Sequence, residues 1–211
     1  MLKEEKIPPL EDLLEDFFHP NPNINHKACL NMIRYWPEDF IKILTKNLSI
    51  KDIELRRKSV KALGCFGDKA ILPISKIFFA STDLTTRISC LKIFVKIAAI
   101  ENYQTLPETL SKVIASSAKN DDPLMILSSV SLLRQLGKPA ILKLIELSKD
   151  ENILRSKAAI TALGEIDDPA ATSCLRALLQ KKSIDKLIEE SIIYALENSL
   201  SRPTFDSEVI N

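Results

Sequence analysis

The sequence predicts an all-α protein of the α-solenoid kind, a right-handed superhelix of helix pairs with about five to six repeats. Three observations predict it. Ala62, Leu63, Gly64, Asp68 and Ala70 recur as Ala162, Leu163, Gly164, Asp168 and Ala170, each pair offset by 100 positions. Apolar residues fall at three and four spacings in segments such as IKILTKNL, RISCLKIFVKIA, LMILSSVSLL and LIEESIIYAL, the pattern of helices that bury a face. Signals for strands are missing, since the chain has four glycines, 6% aromatic residues and no Asn-Gly or Asp-Gly between alternating apolar residues.

Aligned on the Ala-Leu-Gly position, the chain gives six anchors, Ile33, Gly64, Val95, Arg134, Gly164 and Glu197, separated by 31, 31, 39, 30 and 33 residues. Five residues before the first five anchors stand Ala28, Ser59, Cys90, Ser129 and Ala159, all small, with Ile192 in the sixth. Small side chains there let neighbouring helices lie close. Immediately before the anchors come Met32, Leu63, Phe94, Leu133, Leu163 and Leu196, an apolar knob in every unit. A unit of two short helices cannot bury its apolar face alone, so stacking is what builds the core.

Prolines and glycines supply the boundaries. Pro37, Pro107, Pro123, Pro139 and Pro169 each open a helical pattern, where a missing amide proton is harmless. Pro73 lies inside a predicted helix and is expected to kink it or shift its start. Gly67 and Gly137, three residues after their anchors, are expected to end helices in the left-handed conformation. The long interval contains AIENYQTLPET, residues 99–109, read as an enlarged loop. The HPNPN run at 19–23 reads as a turn entering the second helix. Residues 1–200 are expected to form one solenoid domain, and 201–211 a flexible tail without periodicity.

Composition narrows the function classes. With 211 residues, 45% of them hydrophobic, the chain is long enough for a packed core. Lys plus Arg number 29 against 28 Asp plus Glu, so no general attraction to nucleic acid is implied. No apolar run approaches the roughly 20 residues of a membrane span, and the start, MLKEEKIPPL, lacks the features of a secretory signal. A cytoplasmic protein is the expectation. Cys29, Cys65, Cys90 and Cys174 form no CxxC pair and read as reduced packing residues.

Motifs for chemistry are scarce. The two histidines, His19 and His26, form no triad, and with Cys29 they match no closed metal site, so no metal is expected. Glycine loops for phosphate are absent. Two groups of residues remain as candidates. Arg56, Arg57, Arg87 and Arg155 each begin a predicted second helix. They either tie the inter-repeat turns together by bonding aspartates and carbonyls, or form a ladder of guanidinium groups on the concave surface that takes carboxylates. Arg34, Tyr35 and Trp36 close the second helix of the first unit; this aromatic cluster either caps the end of the core or anchors a partner.

The units LRRKSVKALGCFGDKAILPI and RSKAAITALGEIDDPAA resemble HEAT repeats of the short PBS-lyase type. Within that group, HPNPNINHKAC at 19–29, ELRRKSVKALG at 54–64, LTTRISCLKIF at 84–94 and EESIIYALENSL at 189–200 are similar to the phycobilin lyase and phycobiliprotein-maturation family. The likeness runs from about Leu10 to Leu200 in one register. Departures are LLRQLG at 132–137, where the pattern has Ala-Leu-Gly, and Asn25, where the first unit usually has an arginine.

This resemblance implies a cyanobacterial maturation factor that assists covalent attachment of a phycobilin to a cysteine of a phycoerythrin subunit, alongside a larger CpeY-like bilin lyase subunit. No permanently bound cofactor is implied; transient contact with a bilin such as phycoerythrobilin is, and its two propionates would suit the arginines. No short motif marks catalytic residues, so a lyase subunit and a lyase-associated chaperone both stand, with positioning as the source of any catalysis. The alternative is a non-catalytic adaptor, such as a phycobilisome-degradation protein. An enzyme acting alone on a bilin and a HEAT-like DNA glycosylase are the remaining readings, the latter opposed by the neutral charge.

Overall fold

The computed structural model describes residues 7–181 and 184–200, all in helices and their connections. The expected flexible tail at 201–211 lies outside the described residues. Two compact units divide at Glu101 and Asn102. The first holds α1 (Leu10–Phe18), α2 (Pro22–Tyr35), α3 (Pro37–Lys46), α4 (Ile53–Gly64), α5 (Asp68–Ala80) and α6 (Leu84–Ile100). The second holds α7 (Glu108–Ser117), α8 (Pro123–Leu136), α9 (Ile141–Leu147), α10 (Ile153–Gly164), α11 (Pro169–Leu179) and α12 (Lys186–Leu200), with a 3-10 turn at Lys138–Ala140 leading into α9.

Odd-numbered helices are the first members of helix pairs and even-numbered helices the second. Pairing is not the whole of the packing. In the first unit α4 lies on α6 and α3 on α5; in the second, α8, α10 and α12 pack in succession while α9 lies on α11. Like therefore stacks on like, which is the arrangement of an α-solenoid and what the repeated register required.

The six anchors fall near the ends of α2, α4, α6, α8, α10 and α12. Twelve positions before them stand Asn21, Asp52, Asp83, Asp122, Asn152 and Asp185. Every one is an N-cap in action. Their side chains accept from the amides of Asn23, Leu55, Thr86, Leu124 with Met125, Arg155, and Leu187 with Ile188, respectively. Each cap satisfies first-turn donors that the helix itself leaves without partners, a contribution of about 1 kcal/mol apiece.

The small residues five before the anchors, Ala28, Ser59, Cys90, Ser129 and Ala159, are all buried, and so is Ile192. Buried hydroxyls there are satisfied: Ser59 accepts from Asn47, and Ser129 donates to the Met125 carbonyl. The knobs Met32, Leu63, Phe94, Leu133 and Leu163 are inaccessible to solvent or nearly so, whereas Leu196 of α12 is half-buried. In the first unit Phe17 of α1, Phe40 of α3 and Phe66 in the turn between α4 and α5 add an aromatic chain, with centroids 5.1 and 5.7 Å apart, a geometry favoured by the ring quadrupoles.

Glycine at the anchor follows from the spacing of the second helices. A Cβ on Gly164 would lie 2.7 Å from the Ala195 Cβ and 2.8 Å from its Cα and carbonyl oxygen. At Gly64 it would meet the Lys96 Cβ at 2.5 Å. The next helix occupies the space a side chain would need.

Two features differ from expectation, and at Pro73 one of the two expected outcomes is excluded. Helix α5 runs through Pro73 without a shifted start, beginning at Asp68, and Pro73 has no N–H to give the Lys69 carbonyl. Gly67 and Gly137 do take positive φ, 57° and 67°, but with ψ of −142° and −131°, outside the left-handed helical region and in territory nearly reserved for glycine. The enlarged loop is shorter than residues 99–109: Ala99 and Ile100 extend α6, and Glu108 and Thr109 begin α7.

Gly164→Ala is expected to destabilise the protein by roughly 1–3 kcal/mol, although alanine has the better helix propensity by about 1 kcal/mol; a urea midpoint equal to or above wild type would mean that α10 and α12 can separate freely. A second expectation concerns acid. The Asp83 carboxyl is held below its usual pKa by the Thr86 hydroxyl and amide, both at 2.7 Å, with smaller help from Arg56. A depressed folded pKa gives stability that is present above the unfolded value and lost as pH falls through the folded one. As pH falls below the ordinary aspartate range, wild type should therefore lose more stability than Asp83→Asn, which still caps but does not titrate; parallel pH profiles would contradict this.

Candidate functional site

The second helices carry the candidate residues, and one step along a helix turns a side chain by about 100°. That rotation separates the four arginines. Arg56 and Arg87 stand eight residues before their anchors, Arg57 seven and Arg155 nine, so they do not occupy one register position. Arg155 also belongs to the second unit.

Arg155 is 7% exposed and fully engaged at its terminal nitrogens. Nη1 donates to Asp150 at 2.8 Å, while Nη2 donates to Asp121 at 2.8 Å and to the Asn120 carbonyl at 3.0 Å. It thereby joins the turn before α8 to the turn before α10. Charge-assisted bonds of this kind are the strong ones, and this geometry is that of a tie between repeats.

Arg56 and Arg87 lie half-buried in the first unit. Arg56 donates from Nη1 to the Ile50 carbonyl at 2.6 Å and lowers the pKa of Asp83, the cap of the following second helix. The Arg87 guanidinium sits 4.5 Å from the Phe78 ring centre, stacked on the face of α5. Arg57 differs. It is exposed and makes no hydrogen bond or ion pair with another described residue.

Arg34, Tyr35 and Trp36 come together as a local cluster. The Arg34 guanidinium lies 5.1 Å from the Tyr35 ring centre. Trp36, half-buried between α2 and α3, donates its indole N–H to the Pro8 carbonyl at 3.0 Å, which pins the segment ahead of α1. A buried polar handle with a partner fits the capping role of an aromatic at the end of a core.

Sequence reasoning passed over the lysines. On the exposed side of α2, α4 and α6 stand Lys27, Arg57, Lys61, Lys92 and Lys96, all exposed. Lys58 joins them at the edge, its Nζ 5.9 Å from the Phe17 and Phe18 ring centres. The signal was available: these cations occupy the positions seven, six and three before the anchor and one after it. At the same register positions the second unit has nine neutral residues, among them Leu127, Ser131, Ala158, Thr161 and Tyr194, and three charged ones, Lys157, Glu165 and Glu190. There α8 and α10 form a shallow groove closed at one end by the Arg134–Glu165 ion pair.

The thiols divide by burial. Desolvation pushes Cys29 up to about 12, with Cys65 adding to the rise and Lys61 opposing it, and pushes Cys90 up to about 12 as well. Both stay protonated and pack as small apolar groups. Cys65 is not a packing residue; it is exposed at the end of α4, its Sγ 3.4 Å from the Lys61 carbonyl. Among the described residues no three His, Cys, Asp or Glu side chains converge to hold a metal, and no helix is long and apolar enough to cross a membrane.

Residues 107–197 match the family described as HEAT repeats. The chain is 23% identical over 188 residues to the uncharacterized phycocyanin operon protein Z of Pseudanabaena tenuis, covering 89% of this chain and 93% of that one. It is 26% identical over 181 residues to the bilin biosynthesis protein CpeZ of Synechococcus sp., covering 83% and 95%. A designed armadillo repeat protein of solved structure is 15% identical, with coverage of 90% and 100% and a TM-score of 0.41. Helix pairs stacked like on like, together with the first of these matches, make residues 107–197 HEAT repeats within an α-solenoid fold. These relatives agree with the likeness to phycobilin lyase and maturation proteins that the motifs carry.

The contrast between Arg155 and Arg57 is testable. Arg155→Ala is expected to destabilise by roughly 2–4 kcal/mol, because it removes a buried charge that satisfies two carboxylates. Arg57→Ala should stay within about 0.5 kcal/mol of wild type. Thermal or urea unfolding of both variants checks the pair, and equal losses would contradict the assignment of Arg155 as a tie.

Proposed function

We propose that this protein takes part in phycobiliprotein maturation as a chaperone-like accessory subunit of a bilin lyase. The observation that carries the reading is the match to bilin biosynthesis protein CpeZ across nearly the whole length of both chains. The physical form agrees with it. Stacked helix pairs offer broad exposed helix faces suited to docking another folded chain.

In this reading the chain holds a phycoerythrin subunit, in company with a larger CpeY-like lyase subunit, while a phycobilin such as phycoerythrobilin is joined to an acceptor cysteine. Bilin contact is transient. Holding ligand and thiol in attack geometry supplies rate without a dedicated acid or base, since favourable orientation alone is worth about 7–11 kcal/mol of barrier. Of the arginines first singled out, Arg57 has a head group free to meet a partner, whereas Arg155 is committed to Asp121 and Asp150. Arg34 and Tyr35 offer a second contact at the end of α2.

Coexpression tests the proposal. Phycoerythrin subunits, the bilin-forming enzymes and the larger lyase are produced together with and without this protein, and covalent pigment is measured at each acceptor cysteine. A rise in yield or in site fidelity is expected when it is present. Identical yield and fidelity would remove the maturation reading and leave an adaptor in its place.

A further inference from the structure

The first unit's second helices present one sign of charge. Lys27 on α2, Arg57 and Lys61 on α4, and Lys92 and Lys96 on α6 share the exposed side of three helices, and Glu54 is the one acidic residue at the exposed register positions of those helices. Adjacency is set by two observations. The Cys29 thiol of α2 feels the charge of Lys61 and the thiol of Cys65, so the end of α4 approaches α2, although α2 packs chiefly on α1 and α3 rather than on α4. Gly64 takes the stem of Lys96, bringing α4 against α6.

A mixed solvated surface has a different composition. Exposed charged helices commonly alternate sign, gaining i,i+4 pairs, yet none of these five charged side chains has an ion pair or hydrogen bond with another described residue. The equivalent positions of the second unit are mostly apolar or neutral, and its Arg134 is paired to Glu165. The same architecture therefore does not demand cations here.

We infer that the exposed side of α2, α4 and α6 is a docking surface for an acidic polypeptide segment. Like charges held together in the free protein repel one another, and an anionic partner relieves that repulsion while gaining electrostatic steering. An interaxial distance of about 8–10 Å separates packed helices such as α4 and α6, a step that about three residues of extended chain would cover; a longer segment reaches the cation on α2. Four of the five cations are lysines, flexible point charges that suit dispersed carboxylates better than planar bidentate recognition. Nucleic acid is the less favoured anion. No Phe, Tyr or Trp is exposed on α2, α4 or α6 themselves to stack bases, and the chain's net charge is only +1.

This inference names a partner chemistry and stands without the maturation reading, because its test uses neither pigment nor lyase. The probe is a fluorescein-labelled peptide of alternating Glu and Ser, about 20 residues long, measured by anisotropy with the full chain in 0.15 M salt. A 20-base-pair DNA duplex is run beside it. Wild type is expected to bind the peptide, K61E/K92E to bind at least tenfold more weakly, K61Q/K92Q to fall between, and K149E, in the second unit, to match wild type. Circular dichroism melting curves establish that the variants are folded, and the graded Gln pair provides the answer if the Glu pair unfolds. Undetectable peptide binding, equal binding by wild type and K61Q/K92Q, or tighter binding of the duplex than of the peptide would each overturn the proposal.

Discussion

Close contact between successive second helices is the constraint on which each unit is built. Gly64 against Lys96 and Gly164 against Ala195 leave no room for a methyl group. That approach brings the small residues one turn and a half earlier, Ser59 and Ala159, into the buried seam, and sets the following knobs, Leu63 and Leu163, into the core. Burying such a side chain is worth about 1.5–3 kcal/mol, and the gain depends on neighbours being near enough to exclude water. The repeated Ala-Leu-Gly is thus the sequence record of a spacing between helices.

Polar chemistry at the turns reinforces that spacing. Each second helix begins at an Asn or Asp whose side chain closes its first turn, and the arginines that follow fasten those turns to one another. Arg155 does this with two carboxylates and a carbonyl, and Arg56 with the Ile50 carbonyl and the field it exerts on Asp83. Arginine's rigid fork suits the task, since several acceptors converge on one planar group. What remains for recognition is the exposed side of the helices.

Much of the fold was legible because stacking imposes periodic demands. Met32, Phe94 and Leu133 were readable as buried knobs from position alone, and Pro37, Pro123 and Pro169 do occupy the first helical turn. The cap series was equally present, but Asn and Asp are common in loops and only alignment on the anchors separates Asn152 from Asp150. The site was harder to read. Arg56 and Arg57 are adjacent in sequence, yet one faces the Ile50 carbonyl and the other solvent, a difference that depends on which side the next helix covers. Lysines such as Lys61 and Lys92 resemble ordinary solubilising residues until three helices are seen to turn them the same way.

Trp36 has a practical consequence of its own. It is the chain's sole tryptophan, and its indole is tied to Pro8 at the beginning of the first unit. Emission from this fluorophore will therefore report the docking of the amino-terminal segment and the melting of its immediate surroundings, and α7 to α12 carry no tryptophan of their own. Optical studies of the second unit call for a reporter of its own.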